Sequence, residues 1–217
     1  MPGLPCPRPA RFVLDGSYAR LEPLAAGHAP LLYEASSGSG AAGRFAYLSE
    51  PPPRDLEDLR AWVARSAASE DPLFFAVIDK SSGRVAGRQA LMRITPEHGV
   101  IEVGHILWGP QIARTRAATE ALYLAARHIF EDLGYRRFEW KCHNQNQPSK
   151  AAALRFGFAY EGLFRQHMWI KGASRDTAWF AMLDSEWPGF KREYERWLEP
   201  SNFDAAGRQL SKLRVRL

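Results

Sequence analysis

One stretch of the chain, from Gly99 to Phe158, restricts what the whole can fold into. Val100–Trp108 has the apolar, β-branched content of a strand, and Arg114–Leu133 carries Ala117, Ala121, Leu124, Ile129 and Phe130 at helical spacing. Gly134 stops that helix, as glycine commonly does just past a helix C-terminus. Arg137–Cys142 is a second short strand, so the path strand–helix–strand implies a right-handed crossover between parallel neighbours. Pro148–Phe156 follows as a helix with proline in its first turn and Gly157 as its stop. Two turns remain, Pro110–Arg116 and Asn144–Ser149, and they hold the polar residues of the stretch.

The flanking sequence supplies more sheet and more helix. Phe12–Leu24 alternates as a strand or hairpin with its turn at Asp15-Gly16. Gly27–Ser36 is a short helix broken by Ser37-Gly38-Ser39-Gly40, and Asp55–Ala68 is a helix with Leu56, Leu59, Trp62 and Val63 on one side. Pro72–Asp79, Arg84–Ile94 and Val100–Trp108 are three strands joined by tight turns, which makes an antiparallel meander. Tyr160–Ile170 and Thr177–Leu183 form a last hairpin across Lys171-Gly172, and Pro188–Leu198 is a closing helix. The expected class is therefore α/β with a mixed sheet: an antiparallel meander, then a central parallel strand pair, with flanking helices. One domain is expected over residues 12–199, between a flexible, proline-rich arm at 1–11 and a polar, basic tail at 200–217.

Composition matters here mainly for what it removes. A net charge of +5 is a mild bias towards anionic partners and falls short of a nucleic-acid signature. Two cysteines, Cys6 and Cys142, give neither a disulfide framework nor metal-ligand spacing, so no metal is expected. No apolar run reaches the roughly 18 residues of a membrane span. The N-terminus lacks the apolar core of a signal peptide, which points to the cytoplasm.

The chemistry sits in the two turns. Free N–H groups at a helix N-terminus attract anions, and Arg114 and Arg116 add two guanidiniums beside Thr115 and Ala117. The alternative is that these arginines only decorate a surface helix, although arginine has the wrong sign for that end of the dipole. In the second turn Asn146 is followed by Ser149 and then Gly157-Phe158. Asn146 can hydrogen-bond an amide chain and Ser149 can donate to an anion, but Asn146 can equally cap the helix that opens at Pro148.

Taken in order, Ala19-Arg20-Leu21-Glu22-Pro23-Leu24, Ile101-Glu102-Val103-Gly104, Ala118-Thr119-Glu120-Ala121 and Asn146-x-x-Ser149 to Gly157-Phe158 resemble the GNAT superfamily of acetyl-CoA-dependent N-acetyltransferases. The branch resembled is the Rim type, which includes N-terminal acetyltransferases of ribosomal proteins. The resemblance implies an acyl-CoA acyltransferase fold whose central parallel strands splay apart, with acetyl-CoA as co-substrate. It implies that backbone N–H groups at Leu107 and Trp108 polarise the thioester carbonyl, and that the turn through Arg114, Thr115, Arg116 and Ala117 takes the pyrophosphate. It further implies that Asn146 holds the pantetheine arm and that Ser149 serves the departing thiolate, with Tyr160 as the alternative acid. Transfer would be direct, with no acyl-enzyme. The phosphate loop of the family is normally Q/R-x-x-G-x-G/A, and here both glycine positions are arginine, Arg114 and Arg116. Either the guanidiniums assist while the amides still point inward, or cofactor affinity is weakened.

For the base, Glu102 is the first choice, acting through water, and pairing with an arginine such as Arg93 is its bland alternative. His105 lies on the opposite strand face unless a bulge intervenes, and a core histidine is its simpler role. Phe45, Tyr47 and Arg165 are the expected acceptor contacts, suiting a small-molecule amine or a peptide N-terminus, a ribosomal protein included. Two rival readings stand beside this: a non-catalytic acyl-CoA sensor on the same fold, and an RNA- or ribosome-binding protein using the Lys212–Arg216 tail. A homodimer is left open.

Overall fold

The computed structural model describes residues 3–215; Met1, Pro2, Arg216 and Leu217 lie outside them, and with them the ends of the expected arm and tail. The strands are β1 (Leu14–Asp15), β2 (Ala19–Pro23), β3 (Leu73–Asp79), β4 (Arg84–Thr95), β5 (Val100–Trp108), β6 (Arg137–His143), β7 (Ala159–Ile170) and β8 (Ala173–Leu183). The α-helices are α1 (Ala29–Ser36), α2 (Ala41–Phe45), α3 (Leu56–Ala68), α4 (Arg116–Arg127), α5 (Gln147–Arg155) and α6 (Trp187–Leu198). The result is a mixed α/β fold with the strand order β1-β2-β3-β4-β5-β6-β8-β7. Where one domain is expected, the residues cluster into two compact units. One is Pro9–Ile94 with Val103–Ala125; the other takes the N-terminal residues through Arg8, Thr95–Glu102, and the chain from Ala126 onwards. Strand β5 and helix α4 each pass from one unit into the other.

In the first unit, β1 to β4 pair antiparallel, with Leu14 opposite Leu21, Leu21 opposite Val77 and Val77 opposite Gly87, and β3 with β4 is the first pair of the expected meander. Leu32 of α1, Leu59 and Val63 of α3, Phe74 and Ala76 of β3 and Ala90 of β4 form its apolar core. The four-residue spacing of Leu59 and Val63 puts both on the buried stripe of α3. Asp55 caps that helix by accepting from the N–H of Asp58 at 2.7 Å. The segment after the Ser-Gly break contains a helix that the sequence reading does not anticipate, α2. It is only five residues long and opens from Gly40 in the left-handed region, so no apolar period marks it.

The second unit carries β6, β8 and β7 as an antiparallel set, with Trp140 opposite Phe180 and Tyr160 opposite Phe180. Lys171 and Gly172, both at positive φ, make the tight hairpin, and β8 begins at Ala173, four residues before the expected start at Thr177. The core of this unit is aromatic: Phe138 packs on Phe130 and Phe158, Trp140 on Phe156 and Phe158, and Trp187 on Phe130. The helix expected to run unbroken over Arg114–Leu133 starts at Arg116, and past Arg127 becomes a π turn over His128–Asp132. The added residue per turn keeps Ile129 and Phe130 buried, and His128 Nδ1 meets Asp132 Oδ2 at 2.6 Å.

Described residues towards both ends of the chain make specific contacts within this unit. Cys6 is buried, its N–H donating to Pro96 O at 3.0 Å and its thiol to Gly134 O at 3.3 Å. Leu213 and Val215 are buried, Trp197 Nε1 donates to Ser211 O at 3.0 Å, and the Arg214 N–H donates to Glu193 at 2.6 Å. Charge and proline content mark such segments as loose, and three of their side chains, Cys6, Leu213 and Val215, are buried. Among the described residues no helix is long and apolar enough to cross a membrane.

Candidate active site

The turn after β5 is made by backbone. Gly109 donates to Ala86 O at 2.8 Å, and its O accepts from Ile112 and Ala113 at 3.1 and 2.9 Å. A Cβ on Gly109 would come within 2.8 Å of Ala86 O, so glycine is required by the close approach. Thr115 closes the turn, its N–H and its hydroxyl both donating to Ile112 O, at 3.0 and 2.7 Å. The first intrahelical bond of α4 is Thr119 N–H to Thr115 O at 3.3 Å. The N–H groups of Ala117 and Ala118 precede it, at the positive end of the helix dipole.

Arg114, at one of the two positions where the family pattern has glycine, has φ 68. The left-handed backbone that glycine would supply is therefore present with an arginine side chain, and that side chain is exposed. Arg116 differs from its neighbour: its guanidinium lies 4.2 Å above the ring of Tyr18. Tyr18 is itself fixed, because Glu120 accepts from the N–H groups of Ser17, Tyr18 and Ala19 at 2.9, 2.5 and 2.6 Å. The Glu of the Ala-Thr-Glu-Ala run thus clasps the β1–β2 turn onto α4.

Upstream on β5, His105 has φ 49, a left-handed residue inside a strand. This is the bulge-like interruption that resets strand alternation. Its ring packs on Phe74 at 5.1 Å, and its carbonyl accepts from Arg88 Nη1 at 3.1 Å. Trp108 is held by its indole N–H, which donates to Gln89 Oε1 at 3.3 Å. Leu107, Trp108, Arg114, Thr115, Arg116 and Ala117 thus lie along one strand end, turn and helix start in the first unit. Phe45 and Tyr47 belong to the same unit. Phe45 is 3% exposed and packs as a core residue, while Tyr47 is half-buried. Arg44, beside them, donates to the carbonyls of Ser39 and Ser37 at 3.0 and 2.7 Å and so braces the loop after α1.

The second unit holds Glu102, Asn146, Ser149, Tyr160 and Arg165, and here side chains define the geometry. Asn146 Oδ1 accepts from the Ser149 N–H at 3.2 Å, so Asn146 does cap α5. The cap uses only its oxygen; the amide nitrogen is the donor that remains for other partners. Ser149 Oγ accepts from Trp140 Nε1 at 3.0 Å, which directs its own O–H proton elsewhere. Burial raises the Cys142 thiol above its ordinary value, and a hydrogen bond from Ser149 works against that rise. Glu102 is 1% exposed with Lys141 Nζ 3.1 Å from its Oε2, so the cation beside it is a lysine from β6. Burial lowers the Arg175 guanidinium, and the charges of Cys142 and Glu102 oppose the fall.

Tyr160 is 52% exposed on β7 and stacks edge-on against Phe180. Phe180 also stands opposite Trp140, so Tyr160 is two strand spacings, about 10 Å, from the backbone that carries the partner of Ser149. Arg165 is exposed on the same strand, next to Gln166, which takes φ 51. Of the candidate proton donors, Ser149 is thus the one held by a part-buried hydrogen bond, from Trp140. Lys141, Trp140 and Arg88 are the residues that sequence reasoning passes over. Each is a polar or bulky residue inside an apolar strand run, Phe-Glu-Trp-Lys-Cys or Val-Ala-Gly-Arg-Gln, and that anomaly is the only mark they leave. Among the described residues no group of three or more His, Cys, Asp or Glu could hold a metal ion.

A sheet whose central strand ends in a backbone-made turn at a helix N-terminus, followed by a capped Asn-x-x-Ser helix, defines a class of acyl-transferring enzymes, and comparison with known proteins agrees. The model of the acetyltransferase (GNAT) domain family matches residues 19–159, and the chain belongs to that family. It is an acyltransferase. A GCN5-related N-acetyltransferase from Brucella melitensis is 56% identical, with a TM-score of 0.96 over 98% of this chain and 96% of that one. The SPbeta prophage-derived uncharacterized N-acetyltransferase YokL of Bacillus subtilis is 25% identical over 62% of this chain and 74% of its own. RimL, a ribosomal L7/L12 alpha-N-protein acetyltransferase, shares the fold at 20% identity and a TM-score of 0.69, over 79% of this chain and 94% of that one.

Proposed function

We propose that this enzyme transfers the acetyl group of acetyl-CoA directly to a primary amine, and that a peptide N-terminus is the preferred acceptor. The observation that carries the reading is the left-handed backbone of Arg114 before the first turn of α4, which keeps the amides of a phosphate turn although the glycine is gone. In this reading the pyrophosphate takes the amides at the start of α4, those of Ala117 and Ala118, just past the turn that Thr115 closes, and Arg114 adds charge from the surface. The N–H groups of Leu107 and Trp108 polarise the thioester carbonyl, and the Asn146 amide holds the pantetheine arm.

The amine nitrogen attacks the thioester carbon, a C–N bond forms, and the C–S bond breaks. Ser149 hydrogen-bonds the departing thiolate or passes it a proton that the proton released by the amine replaces, its hydroxyl oriented for this by the Trp140 indole. The attacking amine loses its proton through water to Glu102. An α-amine with a pKa near 8 is neutral more often at pH 7 than a lysine near 10.4, which favours a peptide N-terminus over a side chain. The fold shared with RimL supports a ribosomal protein as one such acceptor. Cytoplasmic acetyl-CoA would supply the reaction.

Release of CoA thiol from acetyl-CoA tests this, measured over a panel of N-terminal peptides, lysine peptides and small amines. Thiol release is expected with at least one α-amine and to be faster than with lysine side chains. Binding of acetyl-CoA with no turnover on any amine would instead favour the sensor reading, for which the burial of Glu102 against Lys141 is the supporting observation.

A further inference from the structure

Arg88 is the largest of the fully buried side chains, and it lies on β4 in a run of apolar neighbours. A guanidinium removed from water is costly unless it is paired and hydrogen-bonded, so its contacts show what holds it there. One nitrogen donates to the carbonyl of His105 at 3.1 Å. The other is ion-paired with Glu50, whose second oxygen accepts from the Ser49 hydroxyl at 2.9 Å. The guanidinium plane lies 4.2 Å over the ring of Trp62. Glu50 is only 20% exposed at its side chain, so the pair is built into the interior of the first unit.

The carbonyl that Arg88 grips is that of the left-handed residue on β5. Because a peptide unit is planar and trans, fixing the His105 carbonyl also fixes the Ile106 N–H on its far side. The neighbour of Arg88 acts one peptide unit further on. A Cβ on Gly87 would stand 2.5 Å from Leu107 O and 3.0 Å from Trp108 Cα. Leu107 O and the Trp108 N–H belong to the same planar unit. Arg88 therefore fixes one peptide plane of β5, and Gly87 leaves the room that the second needs, the one whose N–H is aimed at the thioester in the reading above.

We infer that Arg88, held by Glu50, is a positioning residue for acetyl transfer: it keeps the His105 interruption of β5 in place so that the Leu107–Trp108 amides stay aimed at the thioester carbonyl. The inference rests on the proposed role of those amides. Arg88 does not touch the reacting atoms. Its effect should appear in kcat while the KM for acetyl-CoA, which the phosphate turn governs, changes little.

The test uses the double variant Arg88→Met with Glu50→Gln, which removes both charges and leaves no unpaired ion in the core. A folded double variant is expected to exchange the amides of β5 at least about tenfold faster than the wild type. Its kcat is expected to fall at least about tenfold, with the KM for acetyl-CoA within about twofold. Wild-type exchange on β5, or an unchanged kcat in the folded variant, would overturn the inference. If the double variant does not fold, Arg88→Lys takes its place, since lysine keeps the charge against Glu50 but lacks the planar fork that also reaches His105. The same exchange and kcat criteria apply to it. Should the wild type itself release no thiol, the proposed function has failed, and hydrogen exchange on β5 still decides whether Arg88 holds the strand.

Discussion

The turn after β5 and the turn after β6 reach their geometry by opposite means. After β5 the donors are main-chain amides, the shape comes from Gly109, Thr115 and a left-handed Arg114, and the side chain at position 114 is exposed to solvent. After β6 the geometry is held by named side chains: Asn146 caps, Trp140 orients Ser149, and Lys141 meets Glu102. A site made by backbone tolerates substitution so long as φ is preserved. A site made by side chains does not, because each atom has one position from which it can act. That difference accounts for arginine standing where glycine is usual without the turn losing its form.

Substitutions that separate the two turns should differ widely in what they cost. Ser149→Ala removes the hydroxyl that Trp140 orients, and a loss of about 100-fold in kcat is expected, the lower end for a positioned proton donor. Steady-state thiol release measures it, and a loss under about threefold would remove Ser149 from the chemistry. Glu120→Gln weakens three hydrogen bonds from backbone N–H groups to a buried carboxylate. It is expected to cost about 2 kcal/mol in urea unfolding, since bonds to charged groups are the stronger class. Arg114→Gly should do the reverse and stabilise by about 1 kcal/mol, the relief of a left-handed non-glycine residue. A destabilised Arg114→Gly would mean that the guanidinium, and not the backbone, sustains the turn.

The smallest effect expected is with pH. At Glu50 burial raises the carboxyl, and the charge of Arg88 with hydrogen bonds from its own backbone and Ser49 brings it below the ordinary value of 4.5. At Glu131 burial likewise raises it, and hydrogen bonds from Lys191 and Trp187 bring it below 4.5. A carboxyl lowered in the folded state stabilises fully above its unfolded value and loses that contribution as pH falls through its folded value. The urea midpoint should therefore hold from pH 7 to about 5 and decline below about 4.5, with Glu131→Gln flattening part of the decline.

The sequence shows some of these features and hides others, for physical reasons. Period and punctuation reveal α3 with its Asp55 cap, the meander, the Lys171-Gly172 hairpin and the Gly157 stop, because each is a local preference written in a few adjacent residues. The Asn-x-x-Ser turn is legible for the same reason, as a cap. Left-handed φ at Arg114 and His105 leaves no such mark, since neither residue is glycine and the surrounding structure imposes it. The pairing of Glu102 with Lys141 and of Arg88 with Glu50 joins residues about 40 apart in the chain, which no local pattern encodes. The helix start moves from Arg114 to Arg116 because the turn, and not helix propensity, decides where the first intrahelical bond can form.

In the proposed function, main-chain amides after β5 bind the cofactor and the arginines only assist. The KM for acetyl-CoA of the double variant Arg114→Gly with Arg116→Gly tests it most directly, measured by thiol release with an N-terminal peptide as acceptor. A change of less than about threefold is expected, because the amides at the start of α4 are untouched. A rise of about thirtyfold or more, some 2 kcal/mol of lost binding, would show that the guanidiniums hold the phosphates and would contradict it.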